Sequence, residues 1–350
     1  MVFISKRRLA NVLAATLFAS VLPAAPAAFA QETVVFAGFG GSIMAAQRKV
    51  YFDAFEKETG IKVIDVPDSG LPKIKAMVNS GNVQWDVANT LGMYVHQGIK
   101  ENLWEKLDQK VVGAAGIPKE LRNDYGIGNA AYGQILAYNT KLSGGVNAPK
   151  TWADFWNVSG KAGPRGLFDG PRYILEFALM ADGVAPKDLY PLDVDRAFAS
   201  LDKIKSKVSI WWKQWPQVPI LLSSGEINMS NMSNARIQDI VATEKVPLEI
   251  VWNQGLMTVD WLVVPRGAKN PANAMKLIAF MSRPDLQAKF AQATNIGPVN
   301  ADSISLMSAE EQQKLPSVHY KNGEMGLVDD AWWAENSDKM IQRWDSWKLK

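Results

Sequence analysis

The chain has 350 residues, with 38 Lys and Arg against 35 Asp and Glu, 47% hydrophobic residues and no cysteine. The lack of cysteine excludes disulfides, thiolate zinc sites and cysteine nucleophiles. The nearly balanced charge gives no electrostatic basis for binding nucleic acid or an anionic membrane surface.

Residues 1–30 predict a secretory signal peptide that is removed from the mature protein. Basic residues at 6–8, an apolar run at 9–22 and the motif Ala-Phe-Ala at 28–30 follow one another in the order that signal peptides have. The apolar run is too short to span a bilayer. Without the three basic residues of the signal, 35 Lys and Arg remain against 35 Asp and Glu. We therefore expect a neutral periplasmic protein that begins at Gln31, and its length is typical of two domains.

The first mature residues predict an α/β fold with a parallel sheet. A buried strand at 32–38, a glycine turn, a helix at 43–59 and a second strand at 61–66 form a βαβ unit. Ser42 follows two glycines at the start of this helix, where backbone N–H groups and its hydroxyl can bind an anionic group. Most glycine turns of this kind only allow the backbone to change direction before a helix, so this signal is weak by itself.

Two further candidates lie on the next strands. A third strand at 85–90 ends in Thr90, and the ligands of open α/β sheets bind at the carboxyl ends of strands. Alternating apolar residues at 127–139 predict an extended strand that crosses between domains and contains Tyr132. The stretch 141–150 is rich in Gly, Asn and Pro and predicts a domain boundary.

The segment 210–215, Ile-Trp-Trp-Lys-Gln-Trp, predicts an aromatic wall of a cleft. Three tryptophans within five residues exceed what one strand can bury on one face, so Trp212, Trp215 or both are candidates for a ligand contact. A tryptophan face attracts an ammonium group by about 0.5–2 kcal/mol. The alternative is that one or two of these side chains belong to the core.

The stretch from 225 to 270 supplies one cation and one anion. Arg236 comes just after a first short strand, and Asp260 stands at the predicted start of a second one, which runs through 261–265. Taken singly, Arg236 fits a surface arginine at a helix start, and Asp260 fits a cap or an internal salt bridge. Together, at strand ends within 24 residues of each other, they suit a ligand that carries both charges.

The sequence lacks the patterns that catalysis requires. His96 and His319 have no metal-ligand spacing with a partner, and no nucleophile elbow, P-loop or dinucleotide-binding glycine motif occurs. The adjacent Asp329 and Asp330 fit the start of a final helix, where acidic residues stabilise the helix N-terminus. We expect no enzyme, no metal and no cofactor.

Four segments, at 55–63, 151–156, 224–228 and 260–270, together make the chain resemble the spermidine/putrescine-binding family of solute-binding proteins, the receptors of ABC importers. The resemblance covers essentially the whole mature chain. It implies two α/β lobes joined by crossing strands, which close on a ligand by a hinge.

The predicted division of the chain follows from this resemblance. The first lobe is expected to contain residues 31–139 and 260–300, and the second lobe residues 142–256 and 303–350. The resemblance also implies an ABC permease as partner and a small zwitterionic or cationic solute as ligand. We expect a monomer that does not bind nucleic acid.

Departures from the family pattern indicate the type of solute. The resemblance implies that Asp260 anchors an amine. The acidic residues that polyamine receptors carry are replaced here by Gly170 and Tyr173, and an aromatic residue of the family is replaced by Thr258. Because relatives outside the polyamine group carry an arginine near Arg236, a zwitterion such as gamma-aminobutyrate fits better than a dication.

Its carboxylate would bind Arg236, with Arg172 as the next candidate, and its ammonium group would bind Asp260 and a tryptophan face. A polyamine receptor, a secreted hydrolase and an iron-binding receptor are the alternatives. The predicted ligand-binding residues are Ser42, Thr90, Tyr132, Arg172, Trp212, Trp215, Arg236 and Asp260.

Overall fold

A computed structural model describes residues 31–143, 145, 148–158 and 163–350, so the predicted signal peptide lies outside the described residues. The strands are β1 (Thr33–Ala37), β2 (Lys62–Val66), β3 (Val87–Leu91), β4 (Gly126–Asn139), β5 (Arg165–Phe168), β6 (Ile210–Trp212), β7 (Met229–Ser233), β8 (Leu248–Val263), β9 (Gly297–Pro298) and β10 (Met325–Leu327).

The α-helices are α1 (Gly41–Gln47), α2 (Asp53–Thr59), α3 (Leu71–Asn79), α4 (Gly92–Lys100), α5 (Gln109–Val112), α6 (Thr140–Ser143), α7 (Trp152–Trp156), α8 (Ile174–Ala181), α9 (Val194–Ile204), α10 (Gln217–Ser224), α11 (Asn234–Glu244), α12 (Pro271–Met281), α13 (Pro284–Thr294), α14 (Ala309–Gln312), α15 (Pro316–Lys321) and α16 (Asp330–Leu349). A π-helical segment, Arg48–Phe52, joins α1 to α2.

The strands form one mixed sheet in the order β2-β1-β3-β8-β4-β7-β5-β6, with β10 paired to β8 and β9 paired to β4. Strands β1, β2 and β3 pair in parallel, as do β5, β6 and β7. Strands β4 and β8 run antiparallel to each other, β8 runs antiparallel to β3 and β4 runs antiparallel to β7, whereas β10 pairs with β8 in parallel. The predicted α/β class with crossing strands is confirmed. The reason is visible in the sequence pattern, since each parallel group alternates with helices that cover the faces of the sheet.

The two crossing strands β4 and β8 connect the parallel groups. They pair along most of their length, but the register shifts between Gly128 and Ala130 and again between Gln134 and Leu136 of β4. The expectation that Asp260 opens a short strand is wrong. Strand β8 is 16 residues long and already begins at Leu248, so Asp260 lies near its far end. Polar residues in the first part of β8, which is partly exposed, hid that part from a search for apolar runs.

The crossing strands contribute side chains to two large groups of buried residues. One group includes residues of β1, β2, β3, α12 and α13, and the other includes residues of α8, α9 and α16. Residues Glu32–Lys350 nevertheless form one compact unit. The boundaries given above for two lobes stay a prediction.

Local signals in the sequence explain several element ends. Gly60 ends α2 with a positive φ of 73°, which glycine adopts without steric cost. Thr151 caps α7 in a capping box with Asp154, as its spacing predicts. Within the described part of the chain, no helix is both long and apolar enough to cross a membrane.

Candidate functional site

Asp260 lies in the middle of the sheet and is only 5% exposed. On β8 it is paired with Leu91 of β3 on one side and with Ala130 of β4 on the other. Burial raises the pKa of its carboxyl group to about 7, and a hydrogen bond with Tyr132 acts in the opposite direction. No described residue forms an ion pair with it. An acid held in this way is suited to a ligand cation, because such a partner would offset its desolvation.

Tyr132 is the residue of β4 that opens into a space beside Asp260. It is half-buried, whereas the other thirteen residues of the strand are buried. Tyr132 pairs with Thr258 across the ladder, two residues before Asp260, so the three side chains share one face of the sheet. Burial, followed by the charge of Asp260, raises the pKa of the Tyr132 phenol well above its usual value, so the phenol stays protonated and can donate a hydrogen bond.

Arg236 reaches the same neighbourhood from α11. The first residue of that helix, Asn234, accepts a 2.8 Å hydrogen bond from the backbone N–H of Gly133, next to Tyr132. The Arg236 side chain is two residues further along and is exposed. Its positive charge lowers the pKa of the Tyr132 phenol, but burial and the charge of Asp260 raise this pKa by more. In the described part of the chain, Arg236 has no ion-pair partner.

Arg172 has a protein partner, unlike Arg236. Its Nη2 lies 2.8 Å from Oδ1 of Asp330, and both side chains are largely buried, with 13% and 11% exposed. The same nitrogen lies 3.5 Å from Oγ1 of Thr258. The guanidinium carbon is 5.2 Å from the ring centre of Tyr173. Arg172 is therefore near the candidate site, but its charge is already paired with Asp330.

Ser42 and Thr90 lie on neighbouring elements of the first parallel group. Ser42 is exposed in the first turn of α1, and Thr90 is buried with no partner for its hydroxyl among the described residues. Thr90 lines a cavity of about 250 Å³ together with Phe39, Asp68 and Tyr94. Nothing in this geometry joins these two residues directly to Asp260.

The three tryptophans of the segment 210–215 have different surroundings. Trp212 is buried, and its indole nitrogen donates a 3.0 Å hydrogen bond to Ser230. Trp215 is half-buried and stacks on Phe168, with ring centres 5.4 Å apart. Trp211 packs instead against tryptophans of α16. Trp212 is therefore mainly a core residue, and a ligand contact of Trp215 stays a prediction.

A second cavity, of about 290 Å³, lies beside the start of α16. It is lined by Val259 and Trp261 of β8 and by Tyr190, Asp329 and Asp330. Neither cavity is lined by Asp260 itself. Among the described residues, no group of three or more His, Asp and Glu is placed to hold a metal ion.

Sequence reasoning missed the residues that surround Asp260 from other elements. As expected, Asp329 caps α16 by accepting from the Trp332 N–H at 2.9 Å, and Asp330 lies in the first turn of this helix. Asp330 also accepts a hydrogen bond from Arg172, which is 158 residues away in the chain, and this contact was not expected. Tyr173 has a positive φ of 70°, an unusual backbone conformation for a residue with a side chain. A contact between residues as far apart in the chain as Arg172 and Asp330 leaves no local signal in the sequence.

Comparisons with known proteins find similarity over most of the chain. Residues 50–317 match the model of a family described as bacterial extracellular solute-binding protein. The chain is 36% identical over 344 residues to a gamma-aminobutyric acid-binding protein of Pseudomonas aeruginosa, and the match covers 96% of each chain. It is 28% identical over 298 residues to a spermidine/putrescine-binding periplasmic protein of Escherichia coli, covering 78% of this chain and 81% of the other.

The fold is also similar to that of a solved structure described as the Atu4243 receptor for gamma-aminobutyrate (GABA). The two structures superpose with a TM-score of 0.83 and 34% sequence identity, over 91% of this chain and 98% of that chain. The resemblance that was inferred from the four sequence segments is thus confirmed. The predicted fold class of a periplasmic binding protein is confirmed with it.

Proposed function

Because the chain belongs to the bacterial extracellular solute-binding protein family and is a solute receptor for an ABC transporter, we propose that its solute is a small ω-amino acid of the gamma-aminobutyrate type. One observation carries this proposal. The neighbourhood of Tyr132 contains a buried carboxylate, Asp260, and an arginine, Arg236, and neither has an ion-pair partner among the described residues. A zwitterion supplies the missing partner to both groups.

Each group of the protein has a defined role in this proposal. Asp260 accepts the ammonium group, and the Tyr132 hydroxyl fixes the orientation of that carboxylate. Arg236 binds the carboxylate of the solute, for which its planar guanidinium offers two parallel hydrogen bonds. Trp215 covers the methylene chain or the ammonium group with its exposed part. Ser42 and Thr90 contribute hydrogen bonds from the first parallel group when the solute is bound.

The cellular setting is part of the same proposal. The signal at residues 1–30 directs the protein across the inner membrane and is cleaved before Gln31. The mature protein is a monomer in the periplasm that delivers its solute to the permease without transforming it. Incubation with gamma-aminobutyrate, followed by proton NMR, should therefore return the unchanged compound.

The direct test compares four ligands that each have four carbon atoms and differ in their charged groups. Mature protein, freed of bound solute by unfolding and refolding, is titrated in a calorimeter with gamma-aminobutyrate, putrescine, butyrate and butylamine. We expect gamma-aminobutyrate to bind most tightly, because only this compound satisfies both unpaired charges. Thermal melts provide a second readout, since a hundredfold excess over the Kd stabilises a protein by about 2.7 kcal/mol. Tighter binding of butyrate or butylamine would refute the proposal.

A polyamine is the second candidate, because the site has two buried acids rather than one. Asp330 lies close to Asp260, and polyamine-binding relatives are similar over most of the chain. Tighter binding of putrescine than of gamma-aminobutyrate would establish this alternative.

A further inference from the structure

The ion pair between Arg172 and Asp330 joins two elements that are far apart in the sequence. Arg172 comes just before α8, and Asp330 is the first residue of α16. The Oδ2 atom of Asp330 lies only 2.0 Å from the point where a Cβ on Gly92 would stand, so a glycine at this position lets the carboxylate approach the start of α4. The pair therefore forms where the starts of α4 and α16 pack closely together.

This pair lies on the ligand side of the crossing strands. The Nη2 atom of Arg172 is 3.5 Å from Oγ1 of Thr258, and Thr258 and Asp260 are on the same face of β8. Residues two apart on a strand are separated by roughly 7 Å. The guanidinium group of Arg172 is therefore roughly 7 Å from the carboxylate of Asp260, which the proposed function assigns to the ammonium group.

At the ammonium end of the proposed site, Asp260, Asp330 and Arg172 together carry one net negative charge when both carboxyl groups are ionised. Asp260 and Asp330 contribute two carboxylates, and Arg172 contributes one guanidinium group. A third acid, Glu176, is fully buried and accepts hydrogen bonds from Tyr190 at 2.6 Å and from an indole nitrogen at 2.8 Å. Burial raises the pKa of the Glu176 carboxyl group and so favours its uncharged form.

We infer that Arg172 is a specificity-determining residue that cancels Asp330 and so limits the receptor to solutes with one ammonium group. The inference rests on the proposed function, which assigns Asp260 to that ammonium group. Without Arg172 the two carboxylates would stand close together with no protein cation, an arrangement that favours a diamine. With Arg172 in place, a second positive charge on the solute meets a guanidinium group.

The test is a double-mutant cycle. Its readout is the ratio of the affinity for putrescine to the affinity for gamma-aminobutyrate. The variants Arg172→Met, Asp330→Asn and the double variant are titrated with gamma-aminobutyrate and putrescine by calorimetry, beside thermal melts. Arg172→Met should shift the affinity ratio toward putrescine by on the order of tenfold to a hundredfold, as expected for charges this close at an effective dielectric constant of about 20. The double variant should bring the ratio back toward that of the wild type.

Asp330→Asn keeps the test valid if Arg172→Met does not fold. That variant leaves Arg172 free to approach Asp260, so we expect it to weaken gamma-aminobutyrate binding by roughly tenfold or more, with recovery in the double variant. Arg196→Met is the matched control, because it removes an exposed arginine that pairs with Asp182. Its affinity ratio should equal that of the wild type.

The outcomes separate this inference from the proposed function. If the wild type binds gamma-aminobutyrate but the ratio is the same in Arg172→Met, the inference is refuted and the proposed function stands. The inference is also refuted if Asp330→Asn and the double variant bind gamma-aminobutyrate equally. If the wild type prefers putrescine, the proposed function fails, and with it the role of Arg172 in excluding a second charge.

Discussion

The buried carboxyl group of Asp260 predicts that solute binding depends on pH near neutrality. Its pKa is about 7 in the free protein, because burial disfavours the charged form. An ammonium group binds the ionised form, whereas the amine itself, like that of lysine, titrates only near ~10.4. The affinity should therefore rise as the pH rises through 7. Between pH 8 and pH 6 the ionised fraction falls about tenfold, and the association constant should fall with it.

Calorimetry in two buffers with different enthalpies of ionisation measures this effect directly. At pH 7 about half a proton should be released for each solute bound, because about half of the free protein still carries a proton on Asp260. Asp260→Asn is the control, and it should bind weakly and without pH dependence. Equal affinity at pH 6 and pH 8, or uptake of a proton on binding, would refute the reasoning.

The same pKa has a consequence for the stability of the free protein. The carboxyl group titrates near ~3.9 in the unfolded chain and at about 7 in the folded one. The folded state therefore binds more protons between these values, and stability is lost as the pH rises from about 4 to 7, by roughly 4 kcal/mol for this group. Asp260→Asn should accordingly raise the melting temperature at pH 8 while it abolishes tight binding, and a lower melting temperature would contradict this account.

Four further substitutions test other parts of the site and fold. Arg236→Gln should weaken gamma-aminobutyrate binding by roughly tenfold to a hundredfold without changing the melting temperature, because a charge-assisted hydrogen bond contributes about 1.5–3 kcal/mol; unchanged affinity would remove Arg236 from the site. Gly92→Ala should lower the free energy of unfolding by about 1–3 kcal/mol in denaturant titrations, since the new Cβ would lie 2.0 Å from Asp330. Trp212→Ala should cost about 3–5 kcal/mol of stability. Trp215→Ala should cost clearly less stability but weaken binding, and the reverse order would contradict their assigned positions.

Much of the fold could be predicted from the sequence, because its signals are local. The βαβ unit at the start and the crossing strand around Tyr132 follow from periodicity and from glycines at the ends of elements. The true length of β8 could not be predicted. Its first half mixes apolar and polar residues and is partly exposed, and Asn253, Gln254 and Gly255 resemble a turn in the sequence. Pairing with β4 holds both halves in one strand.

The candidate site could be predicted only in part. Asp260 and Arg236 carry a charge at the end of a buried segment, which is a readable pattern. The pairing of Arg172 with Asp330 is set by how α8 and α16 pack, so the sequence alone made Arg172 look like a second carboxylate anchor. Likewise Trp211 has its partners on α16, which explains how three neighbouring tryptophans can be accommodated without a wide aromatic cleft.

The two register shifts in the crossing ladder have a mechanical consequence. A ladder of backbone hydrogen bonds resists bending, and it yields where the pairing is interrupted. The shifts enclose a regular stretch from Ala130 to Gln134, which carries Tyr132 and faces Asp260. The backbone N–H of Gly133 in this same stretch donates a hydrogen bond to Asn234, the first residue of α11, which also carries Arg236. Bending at the two register shifts should therefore leave the positions of Tyr132, Asp260 and the start of α11 relative to one another unchanged.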